Sequence, residues 1–142
     1  SPGFQEYMKH SVFAAKGNVD YSLQSKADAI NRRIPSVPLL GHALETAVFW
    51  ELERRGAETG YVRTQGGYEV DFFVRHVDGR QELIQVCADM DDPETRDRES
   101  RALLDAREQY PDAAPVAIVL NKPAVLELPD PIKVMPAVKW FL

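Results

Sequence analysis

The sequence predicts an α/β fold, a mixed central sheet flanked by helices in the order αβββαβ. Three observations carry this. Residues 39–55 repeat apolar side chains at helical spacing. Three strand-like runs follow, separated by short turn signals. A capped, charged helix then leads into residues 115–120, a nearly continuous apolar run that suits a strand buried on both faces.

Residues 1–38 read as an amino-terminal extension or connector, partly helical over 4–15, with a turn at Gly17-Asn18 and a strand or turn near 19–23. Residues 39–142 form the domain. Its first helix carries Leu40, Ala43, Leu44, Ala47, Val48 and Leu52 on one wide stripe. Phe49 and Trp50 extend that stripe almost all round, which predicts a largely buried helix. Glu45 and Glu51 both fall inside the apolar arc, so the wheel does not separate them. Arg54, Arg55 and Gly56 supply the cationic last turn and the C-cap.

The strand runs are 60–64, 69–75 and 82–88, with Gln65-Gly66-Gly67 and Asp78-Gly79 as turns. On the second run Glu69 and Asp71 share a face, opposite Val70, Phe72 and Val74. On the third, Gln85, Cys87 and Asp89 share a face, opposite Ile84, Val86 and Ala88. A two-residue turn at Asp78-Gly79 would put the two apolar faces on opposite sides. An odd-length loop centred on Asp78 keeps them together and sets Asp71 opposite Gln85 and Glu69 opposite Cys87. The longer loop is therefore predicted. Asp92-Pro93-Glu94 starts a helix that runs to about Gln109. After the 115–120 strand come a short strand at 132–135 and a last helical turn at 137–142.

Composition bounds the function classes. The chain has 142 residues, 44% of them hydrophobic, enough for one domain with a core of its own. Its single cysteine, Cys87, rules out an internal disulfide framework and makes a cytoplasmic setting the expectation. No apolar run has membrane-spanning length, so no membrane partner is expected. A net charge of −5 argues against strong sequence-independent nucleic-acid binding. No phosphate-cradling glycine loop with its lysine is present, so the chain is not expected to hydrolyse nucleotide alone.

The helix with Glu45, the meander bearing Asp71 and Gln85, and the helix and strand after them resemble the restriction-endonuclease-like core of the PD-(D/E)XK nucleases. Four pieces extend the likeness: residues 41–49, 67–72, 84–87 and 94–99, together with the ending at 136–142. As a set they resemble an uncharacterised domain family that usually forms the carboxy-terminal part of bacterial and archaeal AAA+-type ATPases. The resemblance implies a restriction-endonuclease-like sandwich and a set of site positions. Asp71 takes the place of the central metal ligand, Gln85 that of the third-strand ligand, and Glu45 that of the first-helix glutamate. Cys87 stands where a lysine would polarise the attacking water.

Physical chemistry bears on each position. Phosphodiester cleavage needs neutralised charge and an activated water, and Mg²⁺ held by a few oxygens supplies both. Asp71 and Glu45, with Glu69, are the candidate anionic ligands; Gln85 offers only a neutral oxygen. Cys87 offers neither a cation near neutrality nor a hard ligand. Its reading as a nucleophile beside His42 or His76 is weaker than that of a small buried thiol. Arg96, Arg98 and Arg101 alternate with acids at intrahelical spacing and read as a solvated face rather than a phosphate stripe. The expectation is a nuclease-fold accessory domain of an AAA+-type ATPase, catalytically weak or inactive, serving weak nucleic-acid or protein interaction. The alternatives are an active Mg²⁺-dependent DNA endonuclease and a purely protein-binding module.

Overall fold

Six strands pair in the order in which the chain makes them. The computed structural model describes residues 19–20, 39–88, 90–120 and 127–142. The strands are β1 (Val19–Asp20), β2 (Glu58–Arg63), β3 (Glu69–Arg75), β4 (Gln81–Cys87), β5 (Ala113–Val119) and β6 (Lys133–Pro136). The helices are α1 (Leu39–Arg54), α2 (Pro93–Gln109) and the single turn α3 (Ala137–Trp140). β1 to β4 pair antiparallel with one another; β4 with β5 and β5 with β6 pair in parallel. The sheet is therefore mixed, as predicted. Two residues of the 1–38 stretch belong to it, because Val19 and Asp20 pair with Val62 and Tyr61. The helix expected over 4–15 and the role read for Asp89 lie outside the described residues.

Strand periodicity sorts the core into two layers. Phe72, Val74, Ile84, Val86, Val116 and Ile118 pack against Leu44, Val48, Phe49 and Leu52 of α1. The alternate residues Phe73, Leu83 and Ala117 pack against Ala102, Leu103 and Ala106 of α2, with Tyr110 set edge-on to Phe73. β3, β4 and β5 are covered on both sides by these layers, which is why their inner residues are mostly apolar.

The ends of the elements follow local chemistry. Asp92 accepts from the Glu94 amide and the Thr95 hydroxyl, and Pro93 occupies the first helical position. α1 stops at Gly56, whose φ of 72° suits a residue without Cβ. There the Ala57 amide bonds to the Leu52 carbonyl and the Gly56 amide to the Glu53 carbonyl, a Schellman stop. Between β3 and β4 the residues 76–80 form the odd-length loop, since Arg75 pairs with Gln81. The register thus keeps Phe72 and Val74 with Ile84 and Val86, but Val70, expected on the same face, packs in the α2 layer with Val62 and Phe73 because the β2–β3 pairing shifts register between Gly60 and Val62.

The expected burial of the first helix also fails. α1 is not largely buried: Trp50 is 64% and Leu40 56% exposed, and Ala43 and Ala47 are exposed beside them. A helix lying on one face of a sheet buries only the arc turned toward it, and among the described residues nothing packs on the outer arc.

The carboxy-terminal turn is fastened to α1. Arg55 donates to the Trp140 carbonyl at 2.8 Å and its guanidinium lies 4.4 Å from the centre of the Trp140 ring. Glu51 receives both Arg54 and Arg55. Their hydrogen bonds hold its carboxyl down to about 2, from an ordinary 4.5. A depressed carboxylate contributes stability above its unfolded value and loses it as pH falls through the folded one. Wild-type stability is therefore expected to fall more steeply than that of Glu51→Gln between pH 4.5 and about 2. Urea midpoints measured across that window for both proteins check it, and parallel curves would contradict it.

Candidate functional site

The candidate site lies where β3 and β4 stop pairing through their backbones. The ladder ends at Phe72 and Ile84. One residue further on, Asp71 and Gln85 face each other as the register predicts, and side chains take over. The Asp71 amide donates to Gln85 Oε1 at 2.8 Å, and the Val86 amide donates to Asp71 Oδ2 at 2.7 Å. Gln85 Nε2 donates to the Glu69 carbonyl at 3.0 Å and also to the Glu99 carboxylate. These partners set the orientation of the amide: oxygen toward a donor, nitrogen toward two acceptors. Gln85 is 1%, Asp71 6% and Glu99 8% exposed, so the network is shut from solvent.

The five positions singled out in the sequence do not all meet. Asp71 and Gln85 come together. The Glu69 carboxylate pairs with Arg63, its cross-strand partner, at 2.9 Å, and its carbonyl accepts from Gln85. Glu45 is buried at 4% but is carried by α1, on the other side of the sheet from α2 and Glu99. The expected facing of Glu69 and Cys87 is not part of the β3–β4 ladder; Cys87 instead aligns with Val119 of β5. Its thiol is buried with Met90 and Val119, and Leu128 and Val134 pack against them. That is the small buried thiol expected from its chemistry. His76 meets Glu82 beside the 76–80 loop. That places it near the opposite end of β4 from Cys87, about 16 Å away at strand rise.

Glu99 is the residue that sequence reasoning missed. The first half of α2 reads as a charged, solvated surface, and Arg98 and Arg101 are indeed exposed. Yet Glu99 precedes Ala102, Leu103 and Ala106 by three, four and seven positions, and these are the buried face of α2. That helical spacing was the available signal.

The chemistry follows from where the oxygens point. Gln85 Oε1 and Asp71 Oδ2 each accept a backbone amide inside the fold. Among the described residues no group of three or more His, Cys, Asp or Glu side chains converges to hold a metal ion. The arrangement closes the splayed ends of β3 and β4 and ties α2 to them through Glu99. No helix among the described residues is long and apolar enough to cross a membrane. No family model, no curated protein and no solved structure matches the chain.

Proposed function

We propose that this chain is a restriction-endonuclease-like domain whose former metal-binding centre is now a structural hydrogen-bond network. It acts as an interaction module, catalytically weak or inactive, in the setting of an AAA+-type ATPase. The observation that carries the reading is the Gln85 side chain. Both ends of its amide are engaged by Asp71, Glu69 and Glu99, so its nitrogen is spent as a donor and a cation would have to share its oxygen with the Asp71 amide. The burial of Cys87 among apolar side chains adds to this, because no cation stands at the water-activating position. The ATPase setting rests on the resemblance of residues 41–142 alone.

The test joins metal binding to turnover. Calorimetric titration with Mg²⁺ and Mn²⁺ is expected to show no tight site. Single-stranded, duplex and branched DNA incubated with Mn²⁺ should be cut no faster by the wild type than by Asp71→Ala. Turnover that disappears in Asp71→Ala would make the domain a live Mg²⁺-dependent nuclease and sink the reading.

A further inference from the structure

Asp78-Gly79 is the only Asp-Gly pair in the sequence, and it sits in the 76–80 loop that sets the β3–β4 register. Both residues are exposed. An aspartate followed by glycine is open to spontaneous isomerisation, because the glycine has no Cβ to hinder its amide nitrogen. That nitrogen attacks the aspartate Cγ. The N–Cγ bond forms, the amide proton and the carboxyl hydroxyl leave as water, and a five-membered succinimide results. Water then opens the ring at either carbonyl. One opening returns aspartate; the other leaves isoaspartate, whose main chain runs through the side-chain methylene. Water is the only co-reactant.

In the folded loop both reacting groups are occupied. Asp78 Oδ1 accepts the Arg80 amide at 3.0 Å, and Oδ2 accepts Arg80 Nε at 2.7 Å. The carboxylate is thereby directed past Gly79 toward the residue after it. The Arg80 amide first, and then its guanidinium, hold the Asp78 carboxyl below its ordinary range. Only the protonated carboxyl loses its oxygen readily as water, so these bonds deplete the reactive form. The nucleophile is engaged as well: the Gly79 amide donates to the His76 carbonyl at 2.9 Å. The His76 amide donates in turn to the Arg80 carbonyl at 2.8 Å, which closes the loop at the strand ends. We propose that Asp78-Gly79 is a latent isoaspartate site, held in check by the folded loop, with the Arg80 side chain as one of its restraints. Isoaspartate would add a methylene to the main chain where loop length decides which strand faces stay together. The reading of the Gln85 network plays no part in this inference.

Peptide mapping after prolonged incubation near neutral pH tests it, since the isoaspartyl peptide separates from its parent at unchanged mass. The 142-residue protein is incubated folded and, in parallel, in concentrated urea; Arg80→Gln is treated the same way. Arg80 is exposed, so the variant should fold, and matching thermal melts check that it does. Isoaspartate at position 78 is expected to build up in urea at one rate for both proteins. In the folded state it should build up more slowly in both. Folded Arg80→Gln should exceed folded wild type by about two- to fivefold, the size of effect that an exposed ion pair allows. Asp78→Glu should abolish the signal, because its longer side chain would have to close a six-membered ring. Equal rates for folded wild type and folded Arg80→Gln would overturn the role of Arg80. A folded rate equal to that in urea would overturn the restraint, and no isoaspartate in urea would overturn the site itself.

Discussion

Replacing Gln85 with leucine should lower stability by about 3 kcal/mol, read as a fall in the urea midpoint without a change in slope. The substitution keeps the bulk of the side chain and removes both ends of its amide. The Asp71 amide then loses the acceptor it holds at 2.8 Å, and the Glu69 carbonyl loses its donor. The buried Glu99 carboxylate loses a donor in the same step. Each such loss costs about 1–3 kcal/mol where water cannot enter, and the losses share one site, so they do not add fully. Added apolar burial offsets part of the total. Gln85→Glu separates this account from a generic packing effect. It keeps an oxygen for the Asp71 amide but turns a second oxygen toward the Glu69 carbonyl and Glu99. A carboxyl so placed resists ionisation, so its folded pKa rises above the ordinary value of about 4.3. Its penalty is present at neutral pH and shrinks as pH falls through that raised value, so the gap to wild type should narrow in acid. A gap that stays constant from pH 7 to pH 4 would mean that the amide donor has no role.

What could be read in advance follows the physical range of each signal. The β3–β4 register could be derived because Phe72 and Val74 alternate with Asp71, and Ile84 and Val86 with Gln85, and a one-residue slip would set these faces apart. Asp92-Pro93 and Gly56 announced their helix ends because capping depends on a few adjacent residues. The outer arc of α1 could not be read, because a helical wheel records which residues are apolar and not how many layers cover them. Trp50 was accordingly expected inside and is exposed. Glu99 escaped for a related reason: seven of the ten residues 92–101 are charged, and they mask one member that shares the face of Leu103. The engagement of Gln85 lay beyond sequence altogether. Its partners include two backbone groups and a helix residue fourteen positions away, and only the assembled sheet brings them to one point.

Cys87→Lys, the substitution that would supply the lysine of the proposed nuclease-like frame, is instead expected to destabilise the fold by about 4 kcal/mol at pH 7. The thiol is buried in an apolar cluster with Met90 and Val119, bordered by Leu128 and Val134. A lysine there adds bulk to a filled space, for about 1–3 kcal/mol. It also places an amine where the charged form is disfavoured, and buried lysines reach pKa values of about 5–6. A base depressed in the folded state destabilises most below its folded pKa and least above its unfolded value of about 10.4. The deficit relative to wild type should therefore shrink as pH rises from 7 toward 10, whereas Cys87→Val should differ little from wild type at either pH. Urea titrations of the three proteins at pH 7 and 9.5 decide it. If Cys87→Lys matches wild type at both, the new ammonium has reached water or the buried carboxylates of Asp71 and Glu99. The frame would then still accommodate a catalytic cation, and the case for a permanently disarmed site would fail. If the deficit appears and fades with pH, the position is part of the core, and one lysine placed there would not supply a catalytic cation.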